Sequence, residues 1–336
     1  MPYYAHTHPD QPQPGHRWQL LVDHLRGVAS LAEQFAQEMW GDAANLSIEQ
    51  RELRDAFVRS ASIAGLLHDI GKYASEFQRR LRGETRKLVP HAAIGAAEAV
   101  RQRAIDVAFA VAGHHGGVPS RVHLAELARH DPPTQLLQLA RAELGPRQPL
   151  ECGEFPGPLR TPSSILRAEF YIRLLYSVLV DADYLDTERH IDPDLATART
   201  SMPLEASDLL ERLLGHIVGL CRRSSDSQIN LVRQQVFHAC LGAADMPPGF
   251  FSLTVPTGGG KTLSSMVFAL KHASQNHLRR IIYVLPYLNI IEQNAQVLRE
   301  ALGPDLVLEH HTLSDGFSAE AATCSRIRSG AAQEPV

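Results

Sequence analysis

The chain has 336 residues, 44% of them hydrophobic and 21% charged, with a formal net charge of −4; this suits a folded protein of about two domains and excludes wholesale disorder. The balanced charge gives no global attraction to nucleic acid, so contact with a polyanion has to be local or carried by metal ions. Cys152, Cys221, Cys240 and Cys324 lie far apart with no CxxC, which argues against a disulfide frame or zinc knot and suits a cytoplasmic protein, and runs such as 104–113 fall short of the ~20 apolar residues of a membrane span.

Residues 1–15 form a polar segment rich in Pro and His, without the cationic and apolar parts of a secretory leader. From about 17 to 39, Leu21, Leu25, Val28, Leu31 and Phe35 recur at helical spacing. Ser47-Ile-Glu-Gln50 is a capping-box pattern, opening a helix striped by Leu53, Phe57, Ala61 and Ala64. Further helices are predicted at about 91–103, 105–115, 121–130, 134–143, 163–183 and 203–221. Residues 144–162, dense in Gly and Pro, read as a long loop. No strand-like alternation occurs before residue 250.

The texture then changes. Residues 222–227 read as a polar linker, and a helix is predicted at 228–242. Apolar runs at 250–255, 281–285 and 306–308 read as strands, alternating with helices from 263 and over 290–302. Such alternation predicts a parallel sheet. Residues 313–336 have no period and read as a loose tail. The expected fold is therefore an all-α domain at 16–221, followed at 228–312 by a partial α/β fragment.

Histidine is abundant, with 17 in the chain. His68-Asp69 follows an apolar helical run, and adjacent residues on a helix point about 100° apart, so the pair can grip one ion from two sides or let the carboxylate bridge two. His24 lies on the first helix's apolar stripe. Asp181 reads in register with Phe170, Leu174 and Val178, and a buried carboxylate needs a cation or neutralisation. His91 starts a helix after Pro90, and His114-His115 closes one before Gly116-Gly117. Seven candidates, His24, His68, Asp69, His91, His114, His115 and Asp181, suit two transition-metal ions of the Mn, Fe, Co, Ni or Zn class. Ion pairs of this kind serve phosphodiester hydrolysis. Lys72 is the added catalytic candidate, placed to orient water or phosphate, together with His68 and Asp69. His130-Asp131 reads as a surface accident.

These residues, in this order, resemble the HD phosphohydrolase superfamily. More closely, over about residues 15–220, they resemble the HD nuclease of the CRISPR-associated nuclease–helicase of type I systems, whose final Asp lies in a segment like residues 179–188. The resemblance implies that His24, His68, Asp69 and Asp181 hold one metal, and that Asp69 bridges to a second held by His91, His114 and His115. It further implies cutting of single-stranded DNA for a CRISPR surveillance complex with guide RNA. Two other readings are an HD-family nucleotide phosphohydrolase and a non-catalytic, metal-stabilised nucleic-acid-binding module.

Val255-Pro-Thr257-Gly258-Gly259-Gly260-Lys261-Thr262 has the composition of a phosphate-cradling loop before a helix, though Val255 stands where the first Gly of the usual pattern falls. The run resembles superfamily-2 helicases, implying ATP and Mg as ligands. Gln234 and Gln235 loosely match the adenine-reading motif of that family. Pro286, Asn289 and Gln293 match its DNA-touching motif. No Asp-Glu dipeptide occurs, and after Thr262 the aspartates are Asp305 and Asp315. The acid that holds Mg in such motors is therefore missing, and the expected content is a nuclease domain plus the opening third of a motor lobe, without productive ATP hydrolysis. His310-His311 reads as part of a strand end.

Overall fold

The computed structural model describes residues 2–309 except 12, 41–45, 128, 130–132, 147, 149, 199–203 and 224–227. His130-Asp131, His310-His311, most of the expected linker and the whole expected tail lie outside the described residues. The chain separates into two units, one ending at Thr197 and the other starting at Ala198.

The first unit opens with β1 (Tyr4–His6) and β2 (Gln19–Leu20), which pair antiparallel. Helices follow as α1 (Leu21–Met39), α2 (Ile48–Leu67), α3 (Ser75–Leu81), α4 (Ala92–Arg101), α5 (Ile105–Gly113), α6 (Arg121–Leu127), α7 (Thr134–Leu144), α8 (Ile165–Ile191) and α9 (Pro193–Ala198). The capping box forms as expected: Ser47 Oγ accepts from the Gln50 N–H at 3.2 Å, and Gln50 Oε1 accepts from the Ser47 N–H at 2.8 Å. The core joins Leu21, Leu25 and Val28 of α1, Phe57 and Leu67 of α2, Val107 and Val111 of α5, and Leu175 and Leu179 of α8. Gly65 is what lets α2 approach α1, since a Cβ there would stand 2.5 Å from Ala29 Cα.

The polar N-terminal segment is not a separate appendage. Ala5 is buried in this core, and the strand it belongs to has no alternation that would mark it in advance. Its ladder comes from Gln19 and Leu20, which are distant in sequence.

A buried carboxylate also sits away from the histidines. Asp106 is fully buried at the start of α5, where Ser60 Oγ donates to its Oδ2 at 2.7 Å, while its Oδ1 and the nearby Tyr171 hydroxyl lack partners. Burial pushes the Asp106 carboxyl above its ordinary range. A native pKa above the unfolded one means the ionised form costs stability, fully above the native pKa and not at all below the unfolded value. Asp106→Asn is expected to stabilise the fold by on the order of 1 kcal/mol at pH 7. Thermal melts at several pH values check this: the gain should shrink as pH falls through the carboxylate range.

The second unit comprises α10 (Ala206–Arg223), α11 (Gln228–Ala243), α12 (Lys261–Gln275) and α13 (Leu288–Leu302). Leu209 and Leu213 of α10 are buried with Met266, Val267 and Leu270 of α12 and with Leu298 and Leu302 of α13. α10 thus belongs to this unit and not to the domain expected to end at 221. Its apolar stripe predicts a helix but does not say which partner covers it.

The expected strands at 250–255, 281–285 and 306–308 are not formed; β1 and β2 make the one sheet among the described residues. A strand exists only through a neighbour's hydrogen bonds. Phe250, Ile282 and Val284 are instead largely exposed, so these segments have the composition of strands without a partner.

Candidate metal centre

Five elements of the first unit deliver the candidate side chains. α1 carries His24 inward among Leu21, Leu25 and Val28, all fully buried. α2 ends at His68, and Asp69 leads into a 3-10 turn over Ile70–Tyr73. Gly71 in that turn lets the His91 backbone come close: a Cβ would stand 2.2 Å from the His91 carbonyl oxygen. His91 caps the start of α4, and His114 caps the end of α5.

Asp69 is the centre of the arrangement, 1% exposed. Its Oδ2 lies 3.3 Å from His24 Nε2 and 3.3 Å from His68 Nε2. Its Oδ1 lies 3.3 Å from His91 Nε2 and 3.6 Å from His114 Nε2. His115 joins the second set, its Nε2 being 2.7 Å from His91 Nε2. Asp183 Oδ1 joins the first, 3.3 Å from His24 Nε2 and 3.6 Å from His68 Nε2. One carboxylate therefore faces one donor set with each oxygen.

The imidazoles are held in one orientation by their other nitrogens. Nδ1 of His68 donates to Gly65 O at 2.8 Å, that of His91 to Val89 O at 3.3 Å, and that of His114 to Val111 O at 2.7 Å. A carbonyl only accepts, so these Nδ1 atoms carry a hydrogen, and Nε2 is the nitrogen turned toward Asp69. His24 Nδ1 is bound in the same way by Asp186 Oδ2 at 2.8 Å, and Gln19 Nε2 donates to that oxygen at 2.7 Å. Carbonyl and carboxylate partners behind ligating histidines are the usual means of fixing the tautomer for a metal. The residues fit a cation by a second criterion: Asp69 Oδ1 and His114 Nε2 are buried without a hydrogen-bond partner.

The electrostatics follow from this crowding. Burial opposes charge on His24, but hydrogen bonds to Asp183, Asp186 and Asp69 outweigh it and push the imidazole up to about 10. His68 rises to about 9 against the same burial, through Asp69 and Asp183. Asp69 is held well below the usual carboxylate range despite its burial, by Lys72 and His68. Asp183 is held low in the same way by His24 and His68. Burial drives His91 down to about 4 and His115 to about 3. Negative charge thus favours a positive charge at His24 and His68, whereas burial keeps His91 and His115 neutral, the form that binds metals.

Lys72 is buried, with Nζ 2.7 Å from Asp69 Oδ2. Six of the seven expected ligands converge: His24, His68, Asp69, His91, His114 and His115. Asp181 does not; it is exposed on α8, and Asp183 stands in the cluster instead. The buried stripe of α8 runs through Tyr171, Leu175, Val178, Leu179, Ala182 and Asp186, whereas Phe170 is 64% exposed. Anchoring the stripe on Phe170 rotates the reading by about 100°, enough to choose the wrong aspartate. Asp183 and Asp186 were findable, because residues three apart share a helix face. His6 and Gln19 carried no local signal.

Residues 7–168 match the family model described as Cas3, HD domain. The match supports a Cas3-type HD nuclease. A Cas3-type HD domain implies metal-dependent hydrolysis, and the His/Asp groups here are compatible with metal binding. No curated protein matches the chain. No described helix is long and apolar enough to cross a membrane.

The loop candidates lie in the second unit. Gly258 and Gly260 have φ of 83° and 80°, and α12 starts at Lys261. Lys261 Nζ donates to Val255 O at 2.8 Å, and Thr262 Oγ1 donates to Asn294 Oδ1 at 2.7 Å. Thr257 and Gly259 lie in the same turn, closed by Gly259 N–H to Pro256 O at 3.1 Å. Gln234 and Gln235 are exposed on α11, while their neighbour Arg233 donates through Nε to Gly258 O at 3.0 Å. Pro286, Asn289 and Gln293 are exposed at the start of α13, the last two on one face.

Proposed function

We propose that the first unit is an endonuclease that hydrolyses phosphodiester bonds of single-stranded DNA with two divalent ions, in the service of cytoplasmic CRISPR type I interference. The reading is carried by Asp69, whose two oxygens face two separate sets of donors. His24, His68 and Asp183 would hold one ion and His91, His114 and His115 the other, with Asp69 shared. When bound, such ions supply activated water and stabilise charge on phosphate oxygens. The chain's own contribution is positional. Asp186, Gly65 and Val111 fix three imidazoles. Lys72 keeps Asp69 ionised and sets a positive charge beside it. No side chain need act as nucleophile.

In this reading the CRISPR surveillance complex with its guide RNA exposes the DNA strand. Residues 228–312 are the opening part of a superfamily-2 motor lobe, with Lys261 and Thr262 facing ATP and its Mg. Pro286, Asn289 and Gln293 face DNA.

Incubation of the chain with circular single-stranded DNA and Mn²⁺ or Ni²⁺ tests the proposal, because a circle has no ends to trim. Linear products that vanish on chelation are expected. Intact circles alongside hydrolysis of nucleoside triphosphates would replace the nuclease by a nucleotide phosphohydrolase.

A further inference from the structure

β1 is three residues long, too short to persist without support, and the fold fastens it on both edges. On one side it pairs with β2, His6 standing opposite Gln19. On the other, Gln78 stands in for a strand: its Oε1 accepts from the Tyr4 N–H at 3.1 Å, and its Nε2 donates to Tyr4 O at 2.9 Å. Lys72 Nζ donates to Ala5 O at 3.3 Å. The rings of Tyr3 and Tyr4 rest edge-on against Tyr73 and Trp18, with centroids 5.0 and 5.3 Å apart.

What this fastened strand delivers is His6. Its ring meets that of His24 at 4.8 Å and 86°, and its Nε2 lies 3.4 Å from Thr187 Oγ1. Donor atoms of His6, His24 and Asp183 lie within 4.8 Å of one another. Two donors on opposite sides of one ion, each about 2.1 Å from it, stand about 4.2 Å apart, so a small closure brings all three to a single cation. His6 lies outside the residues that match the family model.

We infer that His6 is a further ligand of the ion held by His24, His68, Asp69 and Asp183. The inference rests on the two-ion reading above. It raises the protein donors on that ion from four to five. Zinc in an all-protein site takes four, whereas Mn²⁺, Fe²⁺, Co²⁺ and Ni²⁺ accept more, so His6 biases this position away from zinc.

The test uses the full chain with His6→Ala, and with His6→Phe to preserve the ring contact with His24. Each is titrated with Mn²⁺ and Zn²⁺ by calorimetry, and the Co²⁺-loaded proteins are compared by visible absorption. Wild type is expected to bind two ions. Both variants should keep two sites, one of them at least about tenfold weaker for Mn²⁺ and less changed for Zn²⁺. The Co²⁺ absorption should intensify as that ion loses a donor. Unchanged Mn²⁺ affinities and Co²⁺ spectra would overturn the role of His6 and leave the two-ion reading standing. Wild type that binds no ions would overturn both. Should His6→Ala lose its fold by circular dichroism, the His6→Phe titration decides between the same outcomes.

Discussion

Asp69→Asn is expected to lower cleavage of circular single-stranded DNA at least about a thousandfold, roughly 4 kcal/mol of transition-state stabilisation. The reason is geometric. Each Asp69 oxygen faces a different donor set, at 3.3 Å from His24 and His68 on one side and 3.3 Å from His91 on the other. An asparagine offers one neutral oxygen and a donor amide, so it can serve one set at most. Elemental analysis of the folded variant should find fewer than two ions per chain. A cost in stability is expected as well, because Lys72 is buried with its Nζ 2.7 Å from Asp69. Breaking a buried pair from one side typically costs about 3–5 kcal/mol. Activity is therefore read well below the variant's melting temperature, with circular dichroism as the control. Wild-type cleavage by a folded Asp69→Asn protein would remove the two-metal proposal altogether.

The second large effect separates two aspartates on the same helix. Asp183→Asn is expected to reduce cleavage by about a hundredfold or more, near 3 kcal/mol, while Asp181→Asn stays within about twofold of wild type. Asp183 Oδ1 stands 3.3 Å from His24 and 3.6 Å from His68, whereas the Asp181 side chain is exposed. Loss of the Asp183 charge would take away a proposed metal donor and part of the negative field around His24 and His68. Measuring both variants side by side on the same DNA, with bound metal counted in each, checks the assignment. A dead Asp181→Asn beside an active Asp183→Asn would restore the stripe read from Phe170, Leu174 and Val178.

His24, His68, Asp69, His91, His114 and His115 were legible from sequence because each sits where local rules expose it: on an apolar stripe, at a helix end, or beside Pro or Gly. The choice between Asp181 and Asp183 was not, because the helix rotates by about 100° per residue and its orientation depends on which neighbours bury it. α8 is turned so that Tyr171, Leu175 and Leu179 face the core, and that leaves Asp183 near His24 and Asp181 outside. His6 was out of reach for a different reason: it arrives on a strand held by Gln19, Leu20 and Gln78, residues that no periodicity connects to it.

The same division explains the second unit. The helices α11, α12 and α13 follow from local composition, and Gly258 and Gly260 supply the left-handed φ before Lys261. The strands expected at 250–255 and 281–285 do not, since β structure is a relation between segments. Hydrophobic runs state a preference, and only a partner's N–H and C=O groups realise it.

By itself, then, the order of residues determined the helices, the His-Asp turn and the chemistry of its donors, because helical hydrogen bonds and side-chain types are local properties. Tertiary packing decided which aspartate lies beside His24 and His68, that the N-terminal strand brings His6 against His24, and which unit owns α10. Each of these depends on the rotation and apposition of elements far apart in the chain, which no local pattern encodes.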